Sequence, residues 1–364
     1  METVNVAIIG CGYIGTRHAE NLRRVPGATV ATFVDQDIDR AAHLRQTAGT
    51  EAATVTADAR AVFDDPHVHA VVIATHHDSH VPLAVAAARA GKHLFVEKPL
   101  ALTNEGCREI EAAVQKTGVH LVMGFQTRHA PLVRRARDWV PNPRVVFGQI
   151  VVGRWDDASW AQRPETGGGN VLSQGVHGFD LLAHLAGAPP RVLFAEGGTI
   201  THDPATTEVI DTVLATIRFA NGVVGSAIIG DFGPSPWTQA GFYGLFDGTG
   251  RSATLHHFSE GLSLGTAGSQ MIPFEPPREP AQELTLADLS DEDRADPYGY
   301  GALIAAFVTC ARDNRPPAIS GTVRDGAYAT AAVLACFESI RTGQPVTLAV
   351  EQSRHADEES VIAS

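Results

Sequence analysis

The chain has 364 residues, 44% hydrophobic and 19% charged, a balance that excludes a disordered or membrane-embedded protein. That length exceeds what one hydrophobic core usually serves, so two domains are expected. A net charge of −13 argues against a nucleic-acid partner, whose phosphates need a basic face.

The opening residues show no basic leader and no cleavage-type site. No apolar run is long enough to span a bilayer, so no membrane partner is expected. Cys11, Cys107, Cys310 and Cys336 lie far apart without metal-ligand spacing, which suggests reduced thiols and a cytoplasmic protein. The acidic residues 351–364 read as a loosely held tail.

Val4–Ile9 reads as a strand, followed at once by Gly10-Cys11-Gly12-Tyr13-Ile14-Gly15 and a helical pattern from Thr16 to Arg24. This is the strand–turn–helix setting that a G-x-G-x-x-G needs for dinucleotide binding. Gly10 would permit the turn, Gly12 the close approach of a pyrophosphate, and Gly15 close packing of helix on strand. Tyr13 and Ile14 of this turn are placed at the cofactor, and the free N–H groups at the helix start would hold the phosphates. The next strand, from Thr29 to Val34, runs into Asp35, twenty residues after Gly15. An acidic residue there binds the adenine ribose hydroxyls and repels a 2′-phosphate, favouring NAD over NADP. Arg40 is close enough to touch the same region and to neutralise a phosphate.

Strand and helix units continue. A strand from Val68 to Ala74 ends in Thr75-His76-His77-Asp78-Ser79-His80. Thr75, His77 and His80 are placed at the cofactor edge, and Asp78 reads as the N-cap of a helix over 81–90. A short apolar strand, Leu94 to Val96, then runs into Glu97-Lys98-Pro99. Proline ends the strand and leaves Lys98 at its carboxyl end, where open parallel sheets bind ligands. A helix from Thr103 and a strand from Val119 close the series. The alternation implies a doubly wound parallel sheet, an NAD-binding Rossmann domain over 1–125.

After residue 125 the pattern changes to longer, alternating strands over 145–152, 192–200, 209–219, 223–230, 242–246 and 253–258. With few helices between them, they predict an α+β domain over 126–350 built on a large open, mostly antiparallel sheet. Val213, Ile217 and Ile228 are candidates for a partly apolar exposed face, so a homodimer or homotetramer is expected. Helices over 302–313 and 323–342 read as packing.

Gly167-Gly168-Gly169 lets the chain pass close to a ligand, and a helical segment follows. Ser173, His177 and Asp180 recur at helical spacing, so hydroxyl, imidazole and carboxylate fall on one side. A histidine at a helix start is usually structural, but polar neighbours and a lysine candidate elsewhere favour catalysis. Arg154 and Trp160 precede the glycines and could flank a polar substrate. The pair His76-His77 lacks carboxylate or cysteine company, so no metal is expected.

Together these residues resemble the Gfo/Idh/MocA oxidoreductases, the family of glucose–fructose oxidoreductase and inositol dehydrogenase. The likeness rests on the glycine turn with His18, on Asp35, on Ala74-Thr75 with His80, and on Glu97-Lys98-Pro99. Gly167-Gly168-Gly169, His177 and Asp180 complete it, over roughly residues 4–348. The resemblance implies catalytic Lys98 and His177, with Glu97 and Lys98 also at the cofactor. Two departures stand out. The family often reads Thr-Pro-Asn where this chain has Thr75-His76-His77. Many inositol dehydrogenase-like members carry Asp where this chain has Ser173, followed here by Gln174.

The implied reaction is hydride transfer between NAD and a secondary alcohol of a sugar, cyclitol or related polyol. His177 would be the general base and Lys98 would steady the developing alkoxide. Ser173 and Gln174 would hold neighbouring hydroxyls. The same residues would also serve an NAD-dependent glycoside hydrolase working through transient oxidation. A non-catalytic NAD-binding sensor needs only the glycines and Asp35.

Overall fold

The structure is a computed structural model that describes residues 3–233, 240–257, 260–266 and 282–349. The first half runs β1 (Val4–Ile9), α1 (Tyr13–Leu22), β2 (Ala28–Val34), α2 (Ile38–Thr47), β3 (Thr54–Thr56), α3 (Arg60–Phe63), β4 (Ala70–Ile73), α4 (His80–Arg89), β5 (His93–Val96), α5 (Asn104–Thr117) and β6 (Leu121–Met123). The strands form one parallel sheet in the order β3-β2-β1-β4-β5-β6. Every residue of β4 is buried, as expected for a strand covered on both faces. The order reverses between β1 and β4, and a crevice opens there beyond the strand ends. Gly10 and Ala74 meet at that point: a Cβ on Gly10 would stand 2.3 Å from the Ala74 carbonyl oxygen.

The second half runs α6 (Pro131–Trp139), β7 (Val145–Val151), α7 (Asn170–Ala186), β8 (Pro190–Gly198), β9 (Thr212–Phe219), β10 (Val224–Gly230), β11 (Ala240–Phe246), β12 (Ser252–His256), β13 (Gly261–Gly265), β14 (Gln282–Thr285), α8 (Asp291–Ala295), α9 (Tyr300–Asp313), α10 (Val323–Thr342) and β15 (Val346–Thr347). Its sheet has the order β14-β13-β12-β11-β7-β10-β9-β8-β15. Among the described strands β7 and β10 pair in parallel and the other neighbours are antiparallel. Helices α7 and α10 cover one face of this sheet and pack on each other.

Several expectations need correcting. Val213 and Ile217 face the helices and are buried, whereas Leu214 and Ile228 lie on the open face. Side chains alternate along a strand, so a one-residue error of phase swaps the faces. Asp78 is no helix cap: His77–Ser79 forms a 3₁₀ turn, and α4 starts at His80 behind Ser79, without a side-chain cap. Helix α9 belongs spatially to the first half, because Leu303, Ile304, Phe307 and Val308 share a core with Val6, Ile8 and Phe95. The tail at 351–364 and residues 234–239, 258 and 273–281 lie outside the described residues.

Candidate active site

A cleft of about 1850 Å³ runs along the carboxyl ends of the parallel strands and under the start of α7. A single ligand usually occupies roughly 300–1,000 Å³, so there is room for a dinucleotide and a substrate side by side. Gly10, Gly12, Tyr13, Ile14, Asp35 and Arg40 line one end. Thr75, His77, Glu97 and Lys98 line the middle, and Arg154, Trp160, Ser173, Gln174 and His177 the other end.

The dinucleotide end fits its expected ligand. Helix α1 starts behind Gly12 with no side-chain cap, leaving its first N–H groups for phosphate oxygens. Nothing would lie within 4 Å of a Cβ on Gly12, so the approach from the cleft is open. Gly15 does not line the cleft; a Cβ there would stand 2.0 Å from the Gly10 carbonyl oxygen. The Asp35 carboxylate accepts the Cys11 N–H at 2.8 Å and the Asp37 N–H at 3.0 Å, which fixes it at the end of β2. The Arg40 guanidinium lies 3.7 Å from Asp35 and 3.5 Å from Asp37.

In the middle, β4 and β5 pair with Ile73 opposite Val96, so Thr75 and Lys98 leave the sheet side by side. His80 is wholly buried and does not line the cleft. It sits beneath the wall, with Nδ1 donating to the Pro99 carbonyl at 2.8 Å and Nε2 lying 3.4 Å from the Thr75 carbonyl. His77 Nδ1 donates to the Gly167 carbonyl at 2.8 Å. His76 stacks on Trp160 at 4.0 Å between ring centroids, so this histidine pair joins the two halves.

Lys98 and α7 meet across the cleft. The Lys98 ammonium donates to the Ser173 carbonyl oxygen at 3.3 Å and lies 3.5 Å from its hydroxyl. Burial pushes the lysine pKa down, and the neighbouring Glu97 charge opposes that only in part. Glu97 is buried too, and burial alone would raise it. Its hydrogen bond from His18 Nε2 at 2.7 Å, with the charges of His18 and Lys98, brings it below its ordinary value instead. His177, one turn after Ser173, is held well below the usual histidine range by burial and by Lys98. Its Nδ1 is buried without a hydrogen-bond partner. The imidazole is therefore neutral, with little to stabilise a second proton.

Asp180 does not reach the cleft. Its carboxylate takes a bidentate pair from Arg128 at 2.6–3.1 Å, and Arg128 also binds Asp325 at 2.9 Å. It fastens α7 to α10 rather than holding His177. Gln126 and Arg17 are among the lining residues that the sequence did not single out. Gln126 follows β6, so the rule that ligands gather at strand ends would have found it.

Residues 4–125 match the family model GFO_IDH_MocA, the oxidoreductase family's NAD-binding Rossmann fold, and residues 145–348 match that family's C-terminal alpha/beta domain. The chain belongs to the Gfo/Idh/MocA oxidoreductases. It is an oxidoreductase whose cofactor is NAD. Among its relatives, the myo-inositol 2-dehydrogenase of Thermotoga maritima is 29% identical over 227 residues, 61% of this chain and 67% of that protein. The 1,5-anhydro-D-fructose reductase of Ensifer adhaerens is 28% identical over 349 residues, 93% of this chain and 96% of that protein. A solved levoglucosan dehydrogenase, in complex with NADH and L-sorbose, covers 96% of this chain and 100% of its own at a TM-score of 0.83. At 23% identity that likeness speaks to fold. Among the described residues no helix is long and apolar enough to cross a membrane.

Proposed function

We propose that this family member reversibly oxidises a secondary alcohol on a sugar, cyclitol or related polyol, with Lys98 and His177 as its catalytic residues. The observation that carries the reading is the meeting of Lys98 with Ser173, one turn before His177, in a cleft continuous with the glycine turn. The names of the relatives, an inositol dehydrogenase and an anhydrofructose reductase, point to the same substrate class. NAD, when bound, supplies the hydride acceptor for this chemistry.

The neutral His177 imidazole accepts the hydroxyl proton through the nitrogen facing the cleft. Lys98 donates a hydrogen bond to the same oxygen and stabilises its developing charge. Its lowered pKa lets it share the proton relay, because the buried His177 Nδ1 has nothing to bond if the ring becomes cationic. Ser173 and Gln174 hold neighbouring hydroxyls. Arg154 and Trp160 close the outer side, and Asp35 holds the adenine ribose.

The test is NADH absorbance with purified protein, NAD and a panel of cyclitols, free sugars and glycosides. Lys98→Ala and His177→Ala should each lower kcat by about two to four orders of magnitude with the fold intact. Near-normal turnover in both removes the assignment. Glycoside cleavage without net NADH would instead make the protein a hydrolase using transient oxidation.

The open sheet face carries Leu214, Ile228 and Phe246, 49%, 36% and 38% exposed, and we assign it to a second copy of the chain. Light scattering should give a dimer or tetramer that Leu214→Glu weakens; a monomer at all concentrations would reject this. The four cysteines are all buried and unpaired, which fits a cytoplasmic location.

A further inference from the structure

His202 lies between β8 and β9, outside the catalytic group. Its Nδ1 is 2.6 Å from Asp157 Oδ1 and its Nε2 is 2.6 Å from Asp231 Oδ2. The imidazole is 2% exposed, the Asp231 side chain 0% and the Asp157 side chain 44%. An ionised carboxylate only accepts hydrogen bonds, so both ring nitrogens must donate, and a ring that donates twice is an imidazolium. Burial would push this histidine down, but the hydrogen bonds and charges of Asp231 and Asp157 lift it above its ordinary value.

The backbone N–H of His202 also donates to Asp211 at 2.9 Å. Ligand atoms of His202, Asp211 and Asp231 lie within 4.8 Å of one another, close enough to invite a metal reading. The donors argue against it. The Asp211 oxygens are already taken by the N–H groups of Ile200, Thr201 and His202 and by the Thr212 hydroxyl. Asp231 accepts from Thr201 and Gln162 as well as His202. A metal would also need a lone pair that the imidazolium does not have.

Asp157 belongs to the stretch between β7 and α7, in which Trp160–Gln162 forms a 3₁₀ turn. Arg154, Trp155 and Trp160 of this stretch line the cleft. The second Asp157 oxygen accepts from Arg154 Nη2 at 2.9 Å. Asp231 stands directly after β10, at the end of the sheet. We propose that His202 is a positioning residue: as an imidazolium it ties Asp157 to Asp231 and so holds the cleft wall of Arg154, Trp155 and Trp160 in place.

A neutral imidazole has a single N–H and can keep one of the two carboxylates. The more buried Asp231 retains it and Asp157 is released. The raised pKa means that the clamp is complete below the folded-state value and lost as pH rises through it. The charged groups facing His202 are Asp157, Asp231 and Asp211, with Arg154 behind Asp157. Arg163 and Glu208 stand across an adjoining cavity of about 300 Å³.

That this wall meets substrate rests on the function proposed above, but the following readouts need no turnover, so the two can fail separately. In the full chain labelled with ¹⁵N-histidine, the signals lost in His202→Gln should show both nitrogens protonated at neutral pH. A single-proton tautomer, or a shift of these signals with stoichiometric Zn²⁺, overturns the proposal. In hydrogen exchange read by mass spectrometry at pH 7, Asp157→Asn should exchange residues 153–166 about three- to tenfold faster than wild type, given a partly screened charge-assisted bond. Strand β4 should be unaffected, and the difference should close as pH rises through the His202 titration. Because Asp157 is partly exposed, this variant remains informative even if His202→Gln fails to fold. Equal exchange in wild type and Asp157→Asn at pH 7 overturns the proposal.

Discussion

Replacing His18 with leucine tests the contacts that run from the glycine-turn helix to Lys98. His18 is wholly buried, and its Nε2 donates at 2.7 Å to Glu97 Oε1. The other Glu97 oxygen accepts the Lys98 N–H at 3.2 Å. A hydrogen bond to a buried ionised group contributes roughly 1.5–3 kcal/mol, and leucine removes it without opening the site to water. Glu97 has a depressed pKa in the folded state, so its contribution to stability is present above the unfolded-state value and lost as pH falls through the folded one. His18→Leu should therefore lose about 1.5–3 kcal/mol at pH 7. That deficit should shrink as pH falls through the lowered Glu97 value of the folded wild-type protein, where the carboxyl becomes protonated in both proteins. Urea unfolding of the two proteins at a series of pH values measures the gap, and His18→Gln, which can donate from its amide, should recover part of it. The edge contact of His18 with Phe95 at 4.7 Å adds a packing loss that does not depend on pH. A gap of constant size from pH 7 to pH 3 would mean that packing accounts for all of it, and the carboxylate argument would be wrong.

Asp35→Ser should weaken NAD about tenfold or more, the worth of one charge-assisted bond, and raise the use of NADP because Arg40 loses one of its two carboxylate partners. Fluorescence titration with both dinucleotides decides it, and an unchanged ratio of affinities takes Asp35 off the ribose. Ser173→Asp puts a carboxylate beside the Lys98 ammonium and should raise the lysine pKa. The lysine charge is present below that pKa and lost as pH rises through it, so the alkaline limb of the kcat profile should move upward. An unmoved limb would show that Lys98 is not the group titrating there.

The parts of the site that lie within a few residues of each other were legible in the sequence. The glycine turn, Asp35 and the strand-end Lys98 each follow from local rules about turns and strand ends. The step from Ser173 to His177 followed from helical periodicity, and both side chains line the cleft. The same periodicity misled at Asp180, which shares their side by count but lies deeper, where Arg128 meets it from another segment. Nothing local announces that partner. The His202 group is harder still, because its carboxylates stand 45 and 29 residues away, on loops brought together by a sheet whose register the sequence did not show. Helix α9 was read correctly as a packing helix, but what it packs on is a matter of tertiary arrangement. Its N-terminal Tyr300 thereby comes to line the cleft from far along the chain.

Consecutive side chains at the end of a strand leave on opposite sides, and Glu97 and Lys98 use that alternation to join both halves of the molecule. Glu97 turns towards α1, where His18 holds it; Lys98 turns towards α7, where it meets Ser173. Since position 173 carries a hydroxyl, Glu97 is the anion that supports the Lys98 charge. The support is partial, so burial still lowers the lysine pKa and the amine stays able to exchange a proton with substrate. This arrangement also constrains β6. A Cβ on Gly124 would fall 2.8–2.9 Å from the Glu97 carboxylate, so any side chain there must displace the anion or be excluded. The charge on Lys98 is thus set by residues on α1, β5 and the end of β6, none of which needs to touch the substrate.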